Sequence, residues 1–184
     1  MATSKTGSFT LTERLEGTVA TANEVFQSTL DLGAYVDVGD QQAIAIESVD
    51  YIWQAYETDN DIWDYNLPGH CASNNVFSAQ LSDLNPGTAI LPGDDNSLIS
   101  SMSVFFDDSN NVASIGPDLY PDNYGKLDES RMVVNDQLYF VGDVLSAATA
   151  NDRWVCTVRV RCRIVKLSTK DWMAIAIQST ASDN

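Results

Sequence analysis

Apolar and polar residues alternate with a period of two along most of this chain. From Cys156 to Ile164 the alternation is unbroken: Cys156, Val158, Val160, Cys162 and Ile164 fall on one side, and Thr157, Arg159, Arg161 and Arg163 on the other. Successive side chains of a strand point to opposite faces, so this stretch predicts a strand with one apolar and one basic face. The opening stretch SFTLTERLEGTV puts Phe9, Leu11, Leu15 and Val19 on one parity. Thr10 followed by Glu13 also fits a helix capping box, but the threonines and Gly17 favour a strand. In AIAIESVDYIWQAY the apolar parity runs through Ile44 and Ile46, then shifts by one residue to Val49, Tyr51 and Trp53. A slip of that kind predicts a β-bulge. Further strands are predicted at 76–81, 98–106, 132–142 and 172–180.

Turn-forming clusters separate these runs: LPGH, LNPG, LPGDDN, DDSNN, GPDLYPDNYG and ATANDR. About eight short strands broken in this way predict an all-β antiparallel sandwich or barrel. No long periodic helix, internal repeat or low-complexity segment is evident. At 184 residues the chain is one domain long, and a domain of that size buries roughly 70% of its unfolded surface without staples. Flexible ends are expected at about 1–6 and 180–184. No apolar run is long enough to span a bilayer, and the N-terminus does not read as a secretory signal.

Charge changes the picture. The formal net charge is −16, with 24 Asp+Glu against 4 Lys+Arg in residues 1–152 and 2 against 6 in residues 153–184. So acidic and lysine-poor a surface repels nucleic acid and anionic membrane. It suits a protein that stays hydrated at high salt, where self-repulsion is screened, and we read it as a halophile signature. The Arg159, Arg161 and Arg163 stripe then has two readings. It pairs with acids of neighbouring strands, or it meets another acidic subunit, where the planar guanidinium grips carboxylates bidentately.

Candidate chemistry is sparse. His70 is the only histidine, which removes metal sites that need two or three of them and leaves a Ser-His-Asp triad without a nucleophile motif. Asp107, Ser109, Asn111 and Asp118 have loose EF-hand spacing, but Val112 stands where a glycine is required and no glutamate closes the loop. Turn and solvation roles are the expectation there and in ETDNDIWD and GDDN. Tyr51, Trp53, Tyr56, Trp63 and Tyr65 form a candidate sugar-stacking set, although Tyr51 and Trp53 share the core parity of Val49. An odd count of three cysteines argues against a disulfide framework. Cys156 and Cys162 stand roughly 20 Å apart on one strand, beyond the ~7 Å that a bridge allows.

Across all 184 residues, from MATSKTGSFTLTERLEG to RVRCRIVKLSTKDWMAIAIQSTASDN, the chain resembles the smaller major capsid protein of tailless icosahedral haloarchaeal viruses with an internal membrane, the sphaerolipovirus type. The resemblance implies a single jelly roll without enzymatic activity or cofactor, located in the virion shell. It implies assembly with copies of itself and with a larger major capsid protein into capsomers around a membrane vesicle that holds double-stranded DNA. The internal membrane and minor capsid proteins would be further neighbours, and no direct nucleic-acid contact is expected. The charge asymmetry of the chain itself, rather than the resemblance, leads us to expect Arg159, Arg161 and Arg163 at or near a contact within or between capsomers. The chief alternative is a carbohydrate- or surface-binding β-sandwich of a halophile. A small hydrolase with a carboxylate pair is a third reading, for which no pair stands out.

Overall fold

The computed structural model describes residues 2–17, 24–71, 73–116, 131–146 and 152–180. In chain order the elements are β1 (Thr3–Ser4), β2 (Phe9–Glu16), β3 (Glu24–Asp31), β4 (Gln42–Glu57), β5 (Ile62–Asp64), a 3-10 turn (Leu67–His70), β6 (Asn75–Ser82), β7 (Leu98–Asp107), β8 (Val112–Ile115), β9 (Arg131–Val133), β10 (Gln137–Val144), β11 (Arg153–Lys166) and helix α1 (Thr169–Thr180). All strand pairs are antiparallel, and they nest. β2 pairs β11, β3 pairs β10, β4 pairs β9 and β6 pairs β7. A long hairpin wrapped around itself has this connectivity. Two further pairings, β11 with β4 and β10 with β6, close it into two sheets. The fold is therefore a jelly roll. Sheet A runs β2-β11-β4-β9 and sheet B runs β3-β10-β6-β7. β1 and β5 extend the edges of sheet A, and β8 extends sheet B.

The core lies between the sheets because each strand offers one apolar parity. Cys156, Val158, Val160 and Cys162 of β11 are fully buried on the inner side. Phe77 of β6 sits at the centre, its ring 4.9 Å from Trp53, 4.7 Å from Phe106 and 4.5 Å from Trp154. The sheets approach so closely at Gly142 that a Cβ there would stand 2.7 Å from the Leu15 side chain. The expected bulge is present. Arg161 pairs with Ser48 and Cys162 with Ile46, so Glu47 is the extra residue. On either side of it, Ile44 and Ile46 and then Val49 and Trp53 reach the same core.

Three expectations are corrected. Residues 172–180 form a helix rather than a strand, because Ser168 caps it: the Asp171 backbone N–H donates to Ser168 Oγ at 3.2 Å. Trp172, Ile175 and Ala176 then cover Ala43, Ala45, Val165 and Leu167 on the outer side of sheet A, a second small core. The single strand expected over 132–142 is two strands in different sheets, broken at residues 134–136. Finally, the N-terminal end is tied down. Thr3 and Ser4 pair with Lys166 and Val165, and the Lys5 N–H donates to the Ile164 carbonyl at 2.8 Å. The far C-terminal residues 181–184 lie outside the described residues.

Asp83, just after β6, is 2% exposed, and burial pushes its pKa up to about 6 against the opposing pull of Arg131, 3.6 Å away on β9. Its folded pKa exceeds the unfolded value near 3.9, so the native state holds the proton more tightly. The charged carboxylate therefore costs stability above pH 6, and that cost is relieved as the pH falls from about 6 to about 4. Between those values the unfolding midpoint of the wild type is expected to improve relative to Asp83→Asn. Parallel pH profiles of the two proteins in urea melts would refute this.

Candidate subunit interface

The two sheets differ in electrical character. Seven of the ten Lys and Arg lie in strands of sheet A: Arg14, Arg131, Arg153, Arg159, Arg161, Arg163 and Lys166. The strands of sheet B contain neither residue, and their only acids are Glu24, Asp31, Asp107 and Asp143. Five of the seven, Arg14, Arg153, Arg159, Arg161 and Arg163, share the outer parity of β2 and β11, where they outnumber the acids Glu16, Glu47 and Asp50. Arg131 instead turns to Asp83 beside sheet B.

The arginine stripe divides into two parts. Glu47, 6% exposed, is turned to the outer side by the bulge. It accepts from Ser8 Oγ at 3.0 Å and pairs with Arg161 Nε at 3.2 Å and with the Arg163 guanidinium. Arg163 is itself mostly covered, whereas Arg161 stays 62% exposed. Arg159 is exposed and lies across from Asp50 in the ladder. It lines a shallow hollow of about 410 Å³ with Ser8, Thr10, Ser48, Asp50 and Arg161. Replacing all three arginines would therefore strip Glu47 of its counterions and mix a stability effect with any contact effect. Arg159 alone reports on the surface.

A second hollow, of about 450 Å³, lies on the same face. Here the Tyr56 and Trp63 rings meet at 5.0 Å, the Arg153 guanidinium stands 5.8 Å from the Tyr56 centroid, and that of Arg14 stands 5.7 Å from Trp63. Glu16 serves both arginines, at 2.5 Å from Arg14 and 3.8 Å from Arg153. These ion pairs are half-exposed and contribute about 0–1 kcal/mol each. Trp63 and Tyr65 remain exposed. The aromatic set expected from the sequence is split by the structure. Trp53 is in the core and Tyr51 packs against it, with its hydroxyl donating to the Ser100 carbonyl at 3.1 Å. Only Tyr56, Trp63 and Tyr65 are at the surface, and guanidiniums stand over the first two.

The acid-rich loops build turns. Asp107 accepts from the Asn110 backbone N–H and side chain in the β7–β8 turn; Asp118 lies outside the described residues. In the β4–β5 turn Asn60 donates to Glu57 and the Tyr56 hydroxyl to Asp61. Asn111 and Asp61 close these turns with φ of 54° and 56°, a backbone that Asn and Asp tolerate well. Asp95 accepts from the Ser97 backbone at 2.8 Å. No cluster of three His, Cys, Asp or Glu suited to a metal occurs among the described residues. All three cysteines are free and buried, and burial raises their thiol pKa values, to about 11 for Cys71 and about 12 for Cys162. Among the described residues no helix is long and apolar enough to cross a membrane.

No family model matches the chain, and no curated protein matches it. Solved structures of similar shape include VP1 of the Trichodysplasia spinulosa-associated polyomavirus in complex with sialylated glycooligomers, at 8% identity and a TM-score of 0.47, covering 88% of this chain and 97% of that one. The mud crab dicistrovirus is similar at 11% identity and a TM-score of 0.34, over 88% of this chain and 70% of that one. The extra small virus of the prawn Macrobrachium rosenbergii is similar at 13% identity and a TM-score of 0.30, over 90% and 84%. At these values the likeness is one of general shape, and the jelly roll is assigned from the strand pairing.

Proposed function

We propose that this chain is a structural subunit of a viral capsid that associates with copies of itself through the outer face of sheet A. The observation that carries this reading is the confinement of strand cations to one sheet of a chain with a net charge of −16. Copies so acidic repel each other unless an opposite charge is presented at the contact, and complementary patches also fix the register of docking. The second hollow adds what contacts use: Tyr56 and exposed Trp63 with Arg14 and Arg153, the residue types that dominate binding energy at interfaces. The more detailed reading follows the resemblance of the sequence. The chain is the smaller of two jelly-roll subunits of a tailless icosahedral haloarchaeal virion, paired with a larger one around an internal membrane, and has no enzymatic role. Arg159, Arg161 and Arg163 lie at a contact between subunits. The carbohydrate-binding alternative is disfavoured because guanidiniums already stand over the Tyr56 and Trp63 rings.

Light scattering at high salt tests the proposal. The purified chain is expected to form dimers or larger species, because pairs desolvated in a contact escape most screening. Arg159→Glu is expected to weaken that association about tenfold or more, equivalent to ~1.4 kcal/mol. Its unfolding midpoint should barely move, since the side chain is exposed. A chain that stays monomeric at every concentration, alone and mixed with a larger subunit, would refute the reading.

A further inference from the structure

His70 ends the 3-10 turn with its side chain only 12% exposed. Its Nδ1 lies 2.7 Å from Asp152 Oδ2, and its Nε2 lies 3.1 Å from Asp64 Oδ2. A neutral imidazole carries a single N–H, so it can donate to one of these carboxylates only. The other nitrogen would then face a carboxylate oxygen with its lone pair. Only the doubly protonated ring donates to both.

We propose that His70 is a pH-released latch, a protonated pin that fastens the β4–β5 hairpin and the 3-10 turn to the start of β11. The three groups come from separate elements: Asp64 ends β5, His70 ends the turn, and Asp152 immediately precedes β11. Both carboxylates are held in place. The Asn66 backbone N–H donates to Asp64 Oδ1 at 2.8 Å, and Asp152 is 7% exposed. The Cys71 N–H donates to the Pro68 carbonyl, so the turn itself is closed independently of the latch.

The surroundings favour the charged ring. Burial opposes protonation, but the hydrogen bonds and charges of Asp152 and Asp64 outweigh it and raise the His70 pKa above 6.5. The Asn66 and His70 donors in turn hold the Asp64 carboxyl below its usual range. Asp108 in the β7–β8 turn faces the neighbouring Cys71 and is negative too. The folded pKa of His70 is raised, so the stabilisation is complete below about 6.5 and is lost as the pH rises through the folded value. Burial spares the His70–Asp152 half from the salt screening that weakens surface pairs, whereas the Asp64 side chain is 38% exposed and its pair is screened in part. The hairpin it fastens carries Tyr56 and Trp63, so its release would loosen the rim of the second hollow. The latch stands on its own geometry and holds whether or not the chain forms a shell.

Because His70 is the only histidine, the imidazole of a tag-free chain gives a single ring signal by NMR. Its midpoint is expected above 6.5 in the wild type and at least one pH unit lower in Asp152→Asn. Amide exchange over residues 62–71 is expected to be about tenfold slower in the wild type than in His70→Gln below that midpoint, and equal above it. A wild-type midpoint at or below 6.5 would overturn the proposal. So would an exchange ratio that is the same on both sides of the midpoint. Should His70→Gln fail to fold, wild-type exchange over 62–71, referenced to amides of β6 and β7, must still accelerate through the midpoint, and a constant ratio there overturns the latch equally.

Discussion

Replacing Phe77 by alanine is expected to lower the unfolding free energy by about 3–5 kcal/mol. Phe77 is fully buried, and its ring touches an aromatic partner from each neighbouring part of the core: Trp53 on β4, Phe106 on β7 and Trp154 on β11. Removing it forfeits the transfer of a whole ring and three edge or tilted ring contacts worth about 0.5–1.5 kcal/mol each beyond area. Those three partners belong to both sheets, so the walls of the cavity cannot close without moving the sheets together. Marginal stabilities of about 5–15 kcal/mol make such a loss large enough to leave much of the protein unfolded near its working temperature. Phe77→Leu keeps most of the volume and should lose about 1.5 kcal/mol. The check is the midpoint of urea unfolding at unchanged slope. A Phe77→Ala midpoint close to that of Phe77→Leu would mean that the sheets collapse onto the gap and that the aromatic centre is not what spaces them.

Where one face of a strand is buried and the other wet, the pattern was readable. β2 and β11 follow from parity, and the Ile46-to-Val49 slip locates the bulge because a bulge is itself a change of parity. β6 and β7 read as short apolar runs between turn signals because much of both their faces is buried. Other segments hid for stated physical reasons. β3 went unread because Ser28 interrupts its inner parity of Phe26 and Leu30; its hydroxyl donates to Glu13, a polar contact at the sheet edge that no periodicity encodes. The stretch 132–142 looked continuous because Val133 and Val134 are both buried, one in each core. Helix α1 carries no clear helical period because Ala174, Ala176 and the isoleucines make it apolar nearly all round: Met173 and Ile177 are exposed while Trp172 and Ile175 are covered. The Ser168 cap, followed three residues later by Asp171, was the available signal.

The site was legible in kind and not in detail. Alternation put Arg159, Arg161 and Arg163 on one face, as found, yet it could not say which acids faced them. Glu47 reaches two of the three only because the bulge swings it outward. The pairing of Arg14 and Arg153 with Trp63 and Tyr56 joins β2, β11, β5 and β4. It depends on strand neighbours that follow from topology rather than local pattern. His70 was readable as solitary, and its two carboxylate partners at sequence distances of 6 and 82 were not.

Replacing Arg161 and Arg163 together by methionine is expected to cost about 3 kcal/mol or more, because it leaves Glu47 as a buried charge without a counterion. The Ser8 hydroxyl would still donate to that carboxylate, at 3.0 Å, and one neutral hydrogen bond offsets only part of the desolvation of an anion. Arg163 matters more of the two, since its side chain is 24% exposed against 62% for Arg161, and water competes less for the covered guanidinium. Adding Glu47→Met to the double variant removes the stranded charge and should recover most of the loss, as apolar replacement of a buried ion cluster often does. Thermal and urea melts of the double and triple variants decide the matter. A double variant within 1 kcal/mol of wild type would mean that water reaches Glu47 and that the bulge does not depend on the pair. The expected outcome instead assigns Arg161 and Arg163 a share in holding β4 to β11. Any loss of assembly on Arg159→Glu can then be read as a property of the surface, because that side chain makes no ion pair with Glu47.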